Sequence, residues 1–231
     1  MTLIYIPGLV SDARVWRPVA EAVGGDFGIA DVSGGTSITG MAQAVLAEVP
    51  GHVIPVGHSM GGRVAMEMAR LAPDRMRGLV LADTGHHPLA PGEEAKRAAK
   101  IALGHRDMQA LVADWLPPMV DPSRHGDRTL MDDLAAMVLA AGPDQHERQI
   151  RALVGRPDAA EGLAAVTCPV LLLVGASDRW SPRPQHEEIA ARVAGPSKVV
   201  EIEGAGHFLP CERPGQTAAA IRDWLARTGL A

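Results

Sequence analysis

Several short stretches of this chain are apolar at nearly every position, and that narrows its fold to few choices. TLIYI (2–6), FGIADV (27–32), HVIPVG (52–57), GLVLAD (78–83), PVLLLVG (169–175) and SKVVEIE (197–203) read as strands, most of them continuously apolar. A strand without polar alternation has to be covered on both faces, as in a parallel sheet packed between helices. The intervals supply those helices. DARVWRPVAEAV, ITGMAQAVLAEV and MGGRVAMEMARLA carry helical periodicity, as do RPQHEEIAARVA and PGQTAAAIRDWLAR near the end. Pro214 stands where the first residue of the last helix is expected.

Strands alternating with helices predict an α/β fold with a mostly parallel sheet and right-handed crossovers. The alternation breaks once. Between Asp83 and Cys168 no strand-like run occurs; PGEEAKRAAKIALG, RDMQALVADWLPPMV, RTLMDDLAAMVLAAG and PDQHERQIRALVG read as about four helices, punctuated by Gly and Pro. The chain therefore divides into a core of residues 1–83 and 166–231 and an all-helical insertion, 84–165, at the carboxyl end of a strand.

Composition excludes several classes of function. The net charge of −5 argues against a nucleic-acid surface and against attraction to anionic membranes. No run approaches the roughly 18 apolar residues of a membrane span, and MTLIYIPG has neither the basic start nor the length of a signal peptide. Cys168 and Cys211 fit neither a zinc site nor a redox pair, so two reduced thiols in a cytoplasmic protein are expected.

The chemistry centres on VGHSMGG, residues 56–62. HVIPVG ends a strand and MGGRVAMEMARLA begins a helix, so Ser59 falls on the turn between them. A nucleophile held on so tight a turn needs small neighbours, which Gly57 and Gly61 provide. The helix N-terminus favours negative charge there. A serine needs a base. His207, in GAGHFLPCERP just past the last strand, lies at a carboxyl-end loop, where α/β sites are built. Asp178, in LLLVGASDRWSP, follows the preceding strand and completes the order nucleophile, acid, base.

In these motifs the chain resembles the α/β-hydrolase superfamily over nearly its whole length. The resemblance implies a catalytic triad of Ser59, Asp178 and His207, with an oxyanion hole made by the backbone N–H groups of Met60 and Leu9. The Leu9 loop reads Pro7-Gly8 where relatives more often have His-Gly, so a bracing histidine is missing. The superfamily's usual N-terminal β-hairpin is not expected here, because the loop arrives at residue 7. A sheet of about six strands results. The helical insertion matches the superfamily's cap, which roofs the pocket.

The implied activity is cofactor-free serine hydrolysis of a small or medium carboxylic ester, lactone or thioester through an acyl-enzyme. The same triad in similar proteins performs C–C hydrolysis, perhydrolysis or elimination, and some relatives only bind ligands. Arginines set for a carboxylate-rich substrate would favour elimination or C–C cleavage; Arg63, Arg124 and Arg179 are candidates. A small molecule is the expected partner. The apolar run LAAMVLAAG (134–142) leaves pocket, core and homo-oligomer contact open.

Other residues have plainer readings. Asp83 is a rival acid at the end of its strand, though GASDRWSP has the superfamily's acid-loop form. His58 packs behind the turn. His86-His87 reads as an exposed pair rather than a metal site, since no further ligand stands at useful spacing. Trp180 and Trp115 are candidate substrate contacts; Trp16 and Trp224 are assigned to helix packing, and Cys211 to the core.

Overall fold

The computed structural model describes residues 1–231. Six strands form one sheet: β1 (Thr2–Ile6), β2 (Phe27–Ile29), β3 (Val53–His58), β4 (Leu79–Ala82), β5 (Val170–Gly175) and β6 (Ser197–Ile202). Their spatial order is β2-β1-β3-β4-β5-β6, and every neighbouring pair is parallel. The chain leaves β1 outward to β2 and then returns to β3, so the strand order reverses between β1 and β3. Ligands of open α/β sheets bind at the carboxyl ends of strands beside such a reversal.

The core helices are α1 (Arg17–Val23), α2 (Ile38–Glu48) and α3 (Met60–Leu71). Between β4 and β5 the chain is helical: α4 (Glu93–Arg106), α5 (Met108–Trp115), α6 (Arg128–Val154) and the short α7 (Ala160–Leu163). We call this stretch the cap. After β5 come α8 (Arg183–Arg192), the single turn α9 (Leu209–Glu212) and α10 (Pro214–Thr228). Pro214 opens α10, where its missing N–H costs nothing.

Both faces of the sheet are buried along its central strands β1, β3, β4 and β5, which is why these are apolar nearly throughout, while the edge strands β2 and β6 are only partly covered. Tyr5, Ile54, Val56 and Leu173 pack with α1, α10 and part of the cap. Ile4, Ile6, Leu81 and Leu172 face the other way, with α2, α3 and α8. RTLMDDLAAMVLAAG and PDQHERQIRALVG run on as α6, but Gly142 is non-helical (φ 71°, ψ 175°) and Pro143 follows it, so the helix bends there. Leu134, Met137 and Val138 of LAAMVLAAG belong to the core, while Leu139 is exposed. No helix is long and apolar enough to cross a membrane.

Candidate active site

β3 ends at His58 and α3 begins at Met60, leaving Ser59 alone on the turn at φ 53° and ψ −114°. A non-glycine residue at positive φ is strained by about 1–3 kcal/mol and persists only where its surroundings hold it. The Ser59 N–H donates to the Ala82 carbonyl at 2.9 Å, and the Thr84 hydroxyl donates to the Ser59 carbonyl at 2.7 Å. A Cβ on Gly57 would strike the Gly61 carbonyl, and one on Gly61 the Ile6 carbonyl. No other residue fits this close approach of turn, helix and β1.

The structure brings Ser59, His207 and Asp178 together. His207 Nδ1 donates to Asp178 Oδ2 at 2.9 Å, and Nε2 then accepts from Ser59 Oγ at 2.8 Å. The other carboxylate oxygen, Oδ1, accepts from the Trp180 and Ser181 amides at 2.8 and 3.1 Å. Burial would raise the Asp178 carboxyl, but His207 and these amides outweigh it and hold it down at about 2. Asp178 is therefore an anion aimed at the imidazole, with its second oxygen fixed by the loop that carries it.

Asp83 does not reach the imidazole. Its carboxyl accepts from the Gly175 amide at 3.0 Å and the Leu209 amide at 3.2 Å, so it ties the end of β5 to the segment after His207. It is fully buried, and burial together with the charge of Asp178 pushes its pKa well up. His58 lies behind the turn, where its Nε2 donates to the His207 carbonyl at 2.6 Å. Burial, with His207 nearby, drives the His58 pKa down to about 3.

Two braces left no mark in the sequence. Glu212, in CERP, accepts from the amides on either side of His207, Gly206 at 2.9 Å and Phe208 at 3.1 Å, and its second oxygen accepts from the Asp121 amide of the cap at 2.8 Å. The His207 amide donates to the Met119 carbonyl at 2.7 Å, and Asp121 accepts from the Ser177 hydroxyl at 2.6 Å. The second brace serves the loop after β1. Val10 stands at φ 47°, which is severe for a β-branched residue. Its amide donates to Gln149 Oε1 of α6 at 2.7 Å, and Gln149 Nε2 donates to the Val32 carbonyl at 3.3 Å. Gln149 is fully buried. Where a loop histidine is missing, Gly8 instead rests against the imidazole of His58, so closely that a Cβ would come within 2.9 Å of Nδ1. Leu9 and Met60 both line the cavity above Ser59.

A family model described as alpha/beta hydrolase family matches residues 3–220. The chain belongs to that family. Among curated relatives of this hydrolase, N-formylmaleamate deformylase of Pseudomonas putida is 28% identical over 96% of this chain and 88% of its own length. The 2-succinyl-6-hydroxy-2,4-cyclohexadiene-1-carboxylate synthase of Salmonella newport is 27% identical over 98% of this chain and 92% of its own. Among solved structures, a thermophilic esterase from Thermogutta terrifontis with malate bound superposes with a TM-score of 0.88 at 26% identity, covering 99% of this chain and 90% of that one.

Above Ser59 this hydrolase has a cavity of about 670 Å³ between core and cap. Trp180 and Trp115 line it; Trp180 is 43% exposed at its edge, and Trp115 meets Phe208 edge to face. Trp16 and Trp224 are buried away from it, and Trp16 Nε1 donates to the Ile6 carbonyl at 3.0 Å. Of the three candidate arginines only Arg63 lines the cavity. Arg124 instead holds Asp127 at 2.7 Å and the Glu212 carbonyl at 2.6 Å.

The expected exposure of the His86-His87 pair is corrected for one member. His86 is buried, because α8 covers it; His87 remains half exposed. Glu188 of α8, distant in sequence, joins them, and the three ligand atoms lie within 4.8 Å of one another. However, Arg192 Nε donates to His86 Nε2 at 3.2 Å, which sets a guanidinium against the lone pair a metal would need. Cys168 and Cys211 are both free thiols, and burial raises Cys211 to about 12, far from a nucleophile's range.

Proposed function

We propose that the chain is a cofactor-independent serine hydrolase acting on a small or medium carboxylic ester, lactone or thioester. The observation that carries this reading is the continuous hydrogen-bonded line from Ser59 Oγ through His207 to Asp178. His207 takes the serine proton as Oγ attacks the acyl carbonyl. Asp178 keeps the imidazole in the tautomer that accepts at Nε2 and stabilises the imidazolium that follows. The Met60 and Leu9 amides receive the oxyanion, helped by the N-terminus of α3. The leaving group departs with the proton from His207. Water, deprotonated by the same imidazole, then releases the acid and restores Ser59.

The range of similar enzymes, a deformylase and a synthase as well as an esterase, supports a second reading in which the same residues break another bond. The test is hydrolysis of p-nitrophenyl esters from acetyl to dodecanoyl, beside labelling by a fluorophosphonate. The wild type is expected to cleave the shorter esters, and Ser59→Ala to lose at least about 10³-fold in kcat/KM. Labelling at Ser59 without cleavage of any ester would favour the second reading. Absence of both would remove Ser59 from the chemistry.

A further inference from the structure

The chain as a whole is acidic, yet its cavity is not. Five cations line it, Arg63, Lys96, Arg97, Lys100 and Arg156, against two carboxylates, Glu93 and Asp114. Lys100 pairs with Asp114. Glu93 serves both other cap arginines: Arg156 grips it with two bonds, at 2.9 and 2.7 Å, and Arg97 Nε reaches it at 2.7 Å. Arg63 therefore forms no ion pair, although Glu93 and Asp158 act on it from further off.

The position of Arg63 makes this deficit consequential. It lies four residues, about one helical turn, beyond Ser59 on α3, so both face the same side of the helix terminus. Its one hydrogen bond runs from NH1 to the His87 carbonyl at 3.0 Å, and Arg156 Nε donates to that same carbonyl at 3.1 Å. Two guanidinium groups thus converge on one neutral oxygen. Burial, reinforced by the charges of Arg156 and Arg97 and only partly offset by Glu93 and Asp158, lowers the Arg63 pKa to about 9. A half-buried guanidinium with one neutral partner and two like charges nearby is poorly compensated unless an anion joins it. The planar fork left free by that single bond matches a carboxylate.

We infer that Arg63 forms an anion subsite of the Ser59 cavity and that the substrate carries a free carboxylate besides the acyl group under attack. This rests on the serine-hydrolase reading and narrows it to acyl compounds with a second, ionised end. Three guanidiniums against Glu93 and the more distant Asp158 leave an excess of positive charge beside Lys96, a field that draws small anions into the cavity. The free donors at this point belong to one planar guanidinium, which fits a carboxylate better than a phosphate, a group that needs several donors directed at one centre.

The experiment compares monoethyl succinate, glutarate and adipate with the uncharged ethyl butanoate, pentanoate and hexanoate by pH-stat, in the wild type, Arg63→Met and Arg63→Lys. The wild type should prefer the best hemiester over its neutral counterpart by at least about tenfold in kcat/KM, one charge-assisted contact's worth. The preference should collapse in Arg63→Met and be partly kept in Arg63→Lys, and salt should weaken it in the wild type. Equal rates on charged and neutral esters, or a preference that survives Arg63→Met, would overturn the subsite while leaving the serine-hydrolase reading intact. Should no ester turn over, protection of Ser59 from fluorophosphonate by free glutarate decides separately. Protection in the wild type and not in Arg63→Met supports the subsite; no protection overturns it, and so does stronger protection by glycerol phosphate.

Discussion

Gln149, on the second half of α6, accepts the amide hydrogen of Val10 at 2.7 Å and so reaches from the cap into the loop that follows β1. That loop carries the Leu9 amide, and Val10 holds a backbone angle a valine does not choose freely. Removing the acceptor should release the strain and let Leu9 drift. Gln149→Leu is expected to lower kcat by about 10- to 100-fold with little change in KM, less than the loss of a whole oxyanion donor. Stability should fall by about 1–3 kcal/mol for the stranded amide. Gln149→Glu keeps an acceptor for the Val10 amide but turns an oxygen toward the Val32 carbonyl, so it should recover only part of kcat. Steady-state kinetics of the three proteins check this, and an unchanged kcat in Gln149→Leu would detach Gln149 from the oxyanion role proposed for the Leu9 loop.

Two buried aspartates compete for the role of acid, and their contacts separate them. Asp178→Asn should cost about 10⁴-fold in kcat, because the amide can no longer hold the productive tautomer. Asp83→Asn should cost less than about tenfold in kcat. It should instead destabilise the fold by about 1–3 kcal/mol, because the Gly175 and Leu209 amides reach different carboxyl oxygens and the NH2 of asparagine would face one of them donor to donor. Rates and urea midpoints of both variants distinguish the cases; the reverse ranking in kcat would make Asp83 the acid.

Buried neutral histidines set the acid limit of the fold. Burial is the first cause that lowers His58 to about 3 and His86, His146 and His186 to about 4, from an ordinary 6.5. Below pH 6.5 the unfolded chain takes up protons at these four rings that the folded chain refuses; they outnumber Asp83 and Glu212, whose raised pKa values act in the opposite sense, so stability rises with pH across this window. It should be fully present above about 6.5 and decline as the pH falls toward 4. Urea denaturation at a series of pH values measures the slope. His186→Gln, which keeps an acceptor for the Thr84 amide, should reduce it by about one proton. A flat profile between pH 6.5 and 4.5 would contradict the burial of these rings.

Much of this was readable from the chain. Strands apolar on both sides announce a covered parallel sheet, and all six appear close to where they were expected. The edge strand β2 is shorter than FGIADV suggested: it pairs with β1 over Phe27–Ile29 only. Ser59, Asp178 and His207 stood out because each lies just past the end of a strand, where a parallel sheet gathers its loops. Gln149 and Glu212 did not. Their amide partners at Val10 and Asp121 lie 139 and 91 residues away, and neither carries a local pattern. The burial of His86 was hidden for the same reason, since only the packing of α8 creates it.

The bonds joining Met119 and Asp121 to the segment around His207 have a consequence for how such enzymes change over generations. A roof resting on the walls alone would be exchangeable between relatives as a cassette. Here two of its own beams hold up the histidine. A chimera that imports a foreign roof must bring residues 117–124 with matching partners at Glu212 and Ser177, or it acquires a new pocket over a histidine that has lost its footing.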